Sequence, residues 1–422
     1  MLTTVVICLV VFLVLSVPIA FSLGLVSVIG FSLSDISLMA LSQKLTLGIA
    51  KYSLLPLPFF IFSGYLMGQG GISRRLIGVV QACVGHKTGG VAIVTIISCM
   101  IFAALSGSSS ATTAAIGSIL IPAMMAHHYD RAFAGSITAV SAELGMIIPP
   151  SISMIIYGVM TGTSIAKLFM AGFLPGIMIG ISLMIVSYFL CRKKGYMGSV
   201  KATKEERVVK LKESWLALMM PVIVLGGIYL GIFTATESAC VSVVYAIIVG
   251  CFIYKEITWE KFKKAAIDTL QTSGMIMMVI ACANAFSFLL TRELVPQMIA
   301  ETFGNIAPNS YVFLLLTIVL LTITGMFFDS NSAVTVLAGI LTPIAISFGV
   351  DPIHFGVVII VNMAIGCVTP PVGVNLFVAC KLGEIKMEKM FKELVPYWGV
   401  LLLDLLVIAF IPQISLLLPS FM

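Results

Sequence analysis

The sequence predicts an all-α polytopic membrane protein with inverted-topology repeats, two re-entrant hairpins and two broken helices. Three observations predict this fold class. Of the 422 residues, 60% are hydrophobic and only 10% are charged, and the mean hydropathy is +1.15. Apolar stretches of about 18 or more residues recur along the whole chain, as in proteins that cross a membrane many times. A long segment with a polar centre also occurs twice.

The composition excludes a soluble enzyme, a disordered chain and a nucleic-acid-binding protein as leading classes, because about a quarter of the residues in an average soluble domain are charged. The nine cysteines stand singly in apolar runs, which disfavours metal-binding and disulfide motifs. The sequence shows no nucleophile–base motif, Walker motif or Gly-rich phosphate loop. We therefore expect neither an enzyme nor direct use of ATP.

Residues 1–90 are expected to form N-terminal scaffold helices and an interfacial helix. No basic region precedes the first apolar run, and apolar sequence continues to about Phe31, which predicts a transmembrane start rather than a cleaved signal peptide. Segment 52–70 is also apolar but is interrupted by prolines. Arg74 and Arg75 open an amphipathic stretch, which is typical of a helix lying at the membrane surface.

Two basic segments predict the orientation of the chain in the membrane. Segment 191–214 contains eight Lys and Arg residues and segment 255–264 contains four, so together they hold half of the 24 in the chain. Lys and Arg collect in loops on the cytoplasmic side. We assign residues 173–290 to scaffold helices, with a cytoplasmic loop at 192–214 and spans at 215–233, 238–254 and 267–290.

An internal repeat organises the rest of the chain. A constant shift of 221 residues, without gaps, superimposes special positions of the two copies: Ser110 on Asn331, Pro122 on Pro343, Asp130 on Asp351, Gly135 on Gly356, Gly145 on Gly366, and Pro149-Pro150 on Pro370-Pro371. Six coincidences in one register indicate a duplication. The assigned ranges are transport repeat 1 at 91–172 (hairpin 91–127, broken helix 131–168), transport repeat 2 at 310–382 (hairpin 310–348, broken helix 353–382), and a C-terminal helix at 394–418.

Each copy contains a hairpin with a polar tip and a helix that breaks. Hairpin arms of about 15 residues rise about 22 Å, which is less than the hydrocarbon core of about 30 Å, so the hairpins are expected to be re-entrant. A Gly-x-x-x-Pro-Pro motif unwinds a helix because proline lacks the N–H and clashes with the preceding turn. If both basic segments are cytoplasmic, the number of spans between them means that the two copies enter the membrane from opposite sides. Such inverted repeats are typical of secondary transporters. The alternative is that the Ser and Thr residues only pack helix interfaces.

The tips offer hydroxyl, amide and carbonyl oxygens, which are hard ligands that suit Na⁺. Each tip is expected to meet the broken helix of its own repeat, giving two related ion sites. The candidate Na⁺ ligands are Ser106, Ser108, Ser109, Gly145, Asp329, Ser330, Asn331, Ser332, Gly366 and Thr369, with Glu143, Thr113 and Thr335 as further possibilities.

Charged residues near these motifs leave alternatives open. A carboxylate at a membrane-embedded tip is costly unless it meets a cation or water. Asp329 is therefore the strongest candidate for a functional role among the charged residues. Glu143 could bind an ion or form an interhelical hydrogen bond. Arg292 could bind a substrate carboxylate through two parallel hydrogen bonds or could simply end a helix beside Glu293. Ser110 and Asn331 are the other candidate substrate ligands.

The segments SGSSSATTAAIGSILIP, GMIIPPS, FDSNSA and GCVTPPVGVNLF resemble those of the large membrane subunit of tripartite ATP-independent periplasmic (TRAP) transporters, the DctM-like permeases. The resemblance covers essentially the whole chain and is greatest to the sialic acid permeases. It implies the fold of the ion-transporter superfamily, with a scaffold and a mobile elevator domain. It places the ion sites on Ser108–Ser110 and Asp329–Ser332, with Gly145 and Gly366–Thr369 at the breaks, and the substrate carboxylate on Arg292.

The resemblance also implies partners and a location. A small four-helix membrane subunit, expected as a separate polypeptide, would bind the scaffold, and a periplasmic binding protein would deliver an organic acid. Na⁺ would drive the uptake across a bacterial inner membrane. The alternatives are a stand-alone Na⁺/carboxylate symporter of the same superfamily, a C4-dicarboxylate permease of the same family and, from other classes, a channel or an intramembrane enzyme.

Overall fold

A computed structural model describes residues 2–15, 17–34, 36–199 and 201–421. Over these residues the protein is built from helices, without β-strands. Eight helices are long and apolar enough to cross a membrane, and a ninth span results if Leu38–Ile49 and Tyr52–Gln69, bent by 52° at their junction, are counted as one. The predicted class, an all-α polytopic membrane protein, is confirmed.

The N-terminal helices form one side of the molecule. Prolines shape this region: Pro18 precedes the second helix and Pro56 opens the fourth, where a missing N–H costs nothing because the first turn leaves its N–H groups unbonded anyway. The helices are α1 (Leu2–Val14), α2 (Ile19–Leu33), α3 (Leu38–Ile49), α4 (Pro56–Gln69) and α5 (Ile72–Val84).

Long helices connect the two repeats. Two of them begin with a capping box, in which the side chains of Thr203 and Glu206, or of Thr234 and Glu237, each satisfy a free backbone N–H. The loop predicted at 192–214 is therefore shorter than expected, because the capping box of Thr203 and Glu206 already starts the next helix at Lys204. The connecting helices are α11 (Ile165–Lys194), α12 (Lys204–Tyr229), α13 (Ala235–Ile247, continued by a π-helix over Ile248–Ile253), α14 (Trp259–Arg292) and α15 (Val295–Ile306).

The repeats have the same helix pattern at the predicted shift. Helix α7 spans Ser109–Ala126 and α17 spans Ser330–Ser347, so both ends differ by 221 residues. Repeat 1 also contains α6 (Gly90–Ser106), α8 (Arg131–Ala142), α9 (Leu144–Ile147) and α10 (Ile152–Thr161), and repeat 2 contains α16 (Ser310–Phe327), α18 (Pro352–Gly366) and α19 (Val374–Gly383). The chain ends with α20 (Met387–Phe410) and α21 (Gln413–Leu416).

Three boundaries differ from the expectation. The second half of the first broken helix ends at Thr161, not 168, because Gly162 adopts φ +74° and Ser164 caps the next helix. The hairpin arms have 17 or 18 residues rather than 15. The C-terminal helix begins at Met387, not 394, and ends at Phe410, before Pro412.

Contacts at the two ends of the molecule show the inversion. At the basic end, the Gly89 N–H donates to the Tyr196 carbonyl (3.1 Å), and Lys194 Nζ lies 2.6 Å from Glu393 Oε1. At the opposite end, the Tyr157 hydroxyl donates to the Pro352 carbonyl (2.6 Å). The base of hairpin α6–α7 therefore lies at the basic end, and the base of hairpin α16–α17 lies at the other end.

The second hairpin touches the second broken helix through two glycines. A Cβ added to Gly366 would lie 2.6 Å from the Gly325 Cα and 2.8 Å from the Gly325 carbonyl oxygen. These neighbouring atoms belong to the backbone, so a methyl group at Gly366 would fit only if one of the two helices moved. Gly366 therefore allows α16 and α18 to meet at the depth where α18 ends.

We expect Gly366→Ala to lower the free energy of unfolding by about 1–3 kcal/mol, because the added methyl overpacks this contact. Thermal unfolding in detergent measures the effect. The matched control is Gly339→Ala in α17, where the nearest atom to an added Cβ is the Ser287 Oγ at 3.7 Å. Equal melting temperatures for the two variants would contradict the prediction.

Candidate functional site

The first hairpin tip lies against the first break. Gly107 ends α6 with φ +62°, and its carbonyl accepts a hydrogen bond from the Ile152 N–H (3.1 Å). A Cβ on Gly145 would lie 2.8 Å from the Ser108 carbonyl oxygen and 2.8 Å from Thr112 Oγ1. Ser106 Oγ is 2.9 Å from Thr112 Oγ1, which donates to the Ser108 carbonyl (2.8 Å). The tip and the break thus form one cluster of oxygen atoms.

The second tip meets the second break in a similar way. The Val372 N–H donates to the Met326 carbonyl (3.2 Å). Ser330 Oγ donates to the Met363 carbonyl (3.1 Å) and lies 2.7 Å from Cys367 Sγ. Gly366 packs against Gly325 of the hairpin, and Thr369 Oγ1 donates to the Ile365 carbonyl in its own segment (2.7 Å).

The second tip also meets the first break. Ser153 Oγ, at the start of α10 in repeat 1, donates to Asn331 Oδ1 at the second tip (2.8 Å). Between the tips lies a cavity of about 30 Å³, which we call the tip cavity. It is lined by Gly107, Ser108, Ser109, Ser110, Met146, Ser153, Asp329, Ser330, Asn331, Cys367, Val374 and Asn375.

A larger cavity of about 360 Å³, the scaffold cavity, separates the tips from the scaffold. On the tip side it exposes Ser106, Ser108, Ser110, Asp329 and Asn331, together with Ala111, Ala114 and Ile152. On the scaffold side it is lined by Ile61, Gly64 and Tyr65 of α4 and by Thr272, Met275 and Ile276 of α14. The Tyr65 hydroxyl lies 3.0 Å from Thr272 Oγ1, so these two scaffold groups satisfy each other. Because Thr272–Ile276 stand near the middle of α14, the tips lie deep within the membrane-spanning region.

The ends of eight helices converge on this region. Helices α6, α9, α16 and α18 end there, and α7, α10, α17 and α19 begin there. The side chains of Ser108, Ser151 and Asp329 cap α7, α10 and α17. Helix C-termini favour cations, and helix N-termini favour anions. No Lys, Arg or His is found among the described residues that line the two cavities. The arrangement can therefore hold a cation and an anion side by side.

Two carboxyl groups carry the negative charge of the site. Asp329 caps α17, accepting from the Ser332 N–H (3.2 Å) and Ser332 Oγ (3.3 Å), and its side chain faces both cavities. Glu143 is 1% exposed, and its Oε1 accepts a hydrogen bond from Nδ2 of Asn375, which belongs to the other repeat. Neither carboxyl group forms an ion pair with a described basic residue.

Most of the sequence-predicted site residues are brought together here, whereas Thr113 and Arg292 are not. Ser332 and Thr335 line a small pocket beside Asp329, whereas Thr113 donates to the Ser109 carbonyl within α7 and lines neither cavity. Arg292 is exposed at the C-terminal end of α14, sixteen residues or about 24 Å along the helix from Ile276. The unbroken helix carries the guanidinium away from the tips in this conformation, and the role of Arg292 as a substrate ligand stays a prediction.

The structure adds residues that the sequence reasoning missed. Ser153 and Asn375 follow the Pro-Pro pairs by three and four residues, so each stands in the first turn of a second half-helix. A polar residue at that position in the sequence could have been predicted to face the site. Tyr65 and Thr272 are 207 positions apart in the sequence, and only the packing of α4 against α14 brings them together at the cavity.

Comparison with known proteins gives the family. The family model described as the DctM component of the tripartite ATP-independent periplasmic transporter matches residues 6–414. The chain belongs to the DctM family. It is thus a large permease subunit of a TRAP transporter, as the resemblance of the tip and Pro-Pro segments implied.

Three DctM relatives illustrate the similarity. The chain is 40% identical to the C4-dicarboxylate TRAP transporter large permease protein DctM of Pseudomonas aeruginosa, covering 95% of this chain and 94% of that protein. It is 38% identical to the sialic acid TRAP transporter large permease protein SiaM of Vibrio cholerae, covering 90% and 89%. It is 40% identical to the isethionate TRAP transporter permease protein DctMQ of Oleidesulfovibrio alaskensis, covering 96% of this chain but only 64% of that longer protein.

A solved structure has the same fold. The YdaH transporter of Alcanivorax borkumensis, described as having an unusual topology, superimposes with a TM-score of 0.64 at 14% identity, covering 91% of this chain and 88% of YdaH. At this level of identity the similarity concerns the fold alone. The predicted fold with inverted repeats, hairpins and broken helices is confirmed for this DctM protein.

We expect the bond between Ser153 and Asn331 to couple the two repeats energetically. Ser153→Ala removes the donor of Asn331 Oδ1 and should cost about 1–3 kcal/mol. A double-mutant cycle with Asn331→Ala, measured by thermal unfolding in Na⁺-free detergent solution, should give a coupling energy of about 1 kcal/mol. Ser118→Ala, which affects only an exposed bond within α7, is the control. Additive effects of the two substitutions would contradict the coupling.

Proposed function

We propose that this permease is the membrane subunit of a Na⁺-coupled importer of small organic anions that works by an elevator motion. The observation that carries the proposal is the pair of cavities between and beside the tips. Both are rich in hydroxyl, amide and carboxylate oxygens, and no described basic side chain lines them. Asp329 is open to the cavities and can take a cation from solution, and hard oxygen ligands favour Na⁺.

Two Na⁺ sites follow from the pairing of each tip with its own break. The first uses the oxygens around Ser106, Ser108, Ser109 and Gly145, and the second uses those around Asp329, Ser330, Gly366 and Thr369. Each lies where carbonyl ends of helices converge, which favours a cation. Four helices, α7, α10, α17 and α19, begin beside these sites with their N-termini close to the cavities. This arrangement supports binding of an anion next to the bound cations.

The substrate is proposed to be a carboxylate or sulfonate that occupies the scaffold cavity beside Ser110 and Asn331. Relatives of similar identity are named for C4-dicarboxylates, sialic acid and isethionate, and all three are organic anions. Sialic acid stays our first candidate, and the C4-dicarboxylates are the alternative. The cavity, at about 360 Å³, lies in the range of small-molecule sites.

The proposal includes two partners and a location. A small four-helix membrane subunit would bind the scaffold side, and a periplasmic binding protein would deliver the substrate to a bacterial inner membrane. The basic segments 191–214 and 255–264 support a cytoplasmic position for the loops that contain them. Transport by the purified chain alone would instead favour the stand-alone Na⁺/carboxylate symporter, and currents much faster than an elevator cycle would favour a channel.

Replacing the Asp329 carboxylate should weaken the dependence on Na⁺. In proteoliposomes with all three components, Asp329→Asn is expected to reduce the apparent Na⁺ affinity of uptake roughly tenfold, and Ser110→Ala should act in the same direction more weakly. Asn caps helices about as well as Asp, so the start of α17 should survive.

Asp351→Asn is the matched control for Asp329→Asn. Asp351 also caps a helix, accepting from the Ile353 N–H (2.8 Å) and the His354 N–H (3.2 Å), but it lines neither cavity. Its replacement should leave the Na⁺ dependence unchanged. Uptake by the unmodified complex without a Na⁺ gradient, or equal Na⁺ dependence of the two variants, would overturn the ion site at Asp329.

The position of Arg292 predicts that substrate binding at the tips does not need its guanidinium. We expect Arg292→Gln to leave the substrate-induced rise in melting temperature of the purified permease unchanged, whereas Ser110→Ala should reduce it. A panel of sialic acid, succinate and isethionate, each with and without Na⁺, identifies the substrate in the same assay. If Arg292→Gln abolished the substrate-induced stabilisation, Arg292 would instead be a ligand of the substrate.

A further inference from the structure

A buried pair at the boundary between the repeats is not used by the two proposed tip sites. Glu143 stands in repeat 1 at the junction of α8 and α9, and Asn375 stands in the first turn of α19 in repeat 2. They are 1% and 0% exposed. Asn375 Nδ2 donates to Glu143 Oε1, a bond between residues 232 positions apart in the chain.

This bond leaves two oxygen atoms unsatisfied. Glu143 Oε2 and Asn375 Oδ1 are buried, and neither has a hydrogen-bond partner among the described residues. The amide orientation is fixed, because its nitrogen already donates to Glu143. A buried, ionised carboxylate with a single hydrogen bond is costly, so the pair needs either a cation or a proton.

The surroundings favour a cation. Asn375 lines the tip cavity, which is large enough for one or two species of the size of a water molecule. The same cavity exposes the hydroxyls of Ser109 and Ser330 and the carboxylate of Asp329, all of them oxygen ligands. No described Lys, Arg or His lines it. A shared proton would also join the two unsatisfied oxygens, but it would leave the adjoining cavity unused by the pair, and the experiment below distinguishes the two cases.

We propose that Glu143 Oε2 and Asn375 Oδ1 bind a third Na⁺ at the boundary between the two repeats. This inference rests on the proposed Na⁺ coupling and adds one ion to the two tip sites. The ion ties the first broken helix to the second, since its two ligands come from different repeats. Na⁺ binding at this position therefore requires both breaks to be in place at once.

The substitution Glu143→Gln distinguishes a bound sodium ion from a bound proton. A glutamine amide can accept from Asn375 Nδ2 and donate to Asn375 Oδ1, so it reproduces the hydrogen bonds of a protonated glutamate without its charge. If a cation is bound, the substitution removes a charged ligand. If a proton is bound, glutamine replaces it and little changes. The fold is expected to survive in both cases.

The experiment measures the number of Na⁺ ions moved per substrate in proteoliposomes that contain the complete three-component complex, from the gradients at which net flux reverses. Glu143→Gln and Asn375→Ala should each lower this ratio by one ion, and the melting temperature of each purified variant checks its folding. The control is Thr322→Val, which removes the donor to Asn362 Oδ1 (3.0 Å), another buried amide of repeat 2. Its ratio should equal that of the unmodified protein.

The outcomes separate this inference from the proposed function. An unchanged ratio in Glu143→Gln, with normal Na⁺ dependence, would overturn the third ion and leave a shared proton as the explanation of the two oxygens, while the tip sites would stand. Na⁺-independent uptake by the unmodified complex would overturn the proposed coupling itself. A ratio lowered equally in Thr322→Val would also count against the third site, because the loss would then follow from any buried amide.

Discussion

A helix that stops within a membrane must find partners for its free backbone groups, and this constraint shapes the whole protein. Each hairpin tip and each Pro-Pro break would be costly alone. Together they satisfy one another, as the Ile152 N–H and the Gly107 carbonyl do in repeat 1 and the Val372 N–H and the Met326 carbonyl do in repeat 2. The glycines at 107, 145 and 366 are needed because side chains there would keep tip and break apart.

The same arrangement explains why ion and substrate sites are expected to share one place. Four helix C-termini and four N-termini point into a small volume that contains Asp329 and lies next to Glu143, without a described basic side chain in its walls. In the proposed function the carboxylates would bind cations, and the bound cations together with the helix N-termini would attract an anion. A substrate anion would then bind only when the ions are bound, and this dependence would couple the transport of the two.

The sequence could predict the repeat, its register and the residues at the tips, because hydroxyl clusters and Pro-Pro pairs are local signals in an apolar chain. It could also have placed the end of α10 at Thr161, since Gly162 and Ser164 form a stop and a start. The distance of Arg292 from the tips, by contrast, depends on whether α14 continues unbroken to its end, which the sequence does not show. The bonds of Glu143 with Asn375 and of Ser153 with Asn331 join residues 232 and 178 positions apart, which no local pattern encodes.

The wall opposite the tips has a consequence for how fast they can move. Ile61, Met275 and Ile276 present aliphatic and thioether groups, Gly64 allows the close approach of Ser106, and Tyr65 and Thr272 are already bonded to each other. Among the described residues, no hydrogen bond joins the tips to these wall residues. In the proposed elevator motion, sliding the tips along this face would break dispersion contacts that re-form at each step, so this wall would oppose the motion only weakly.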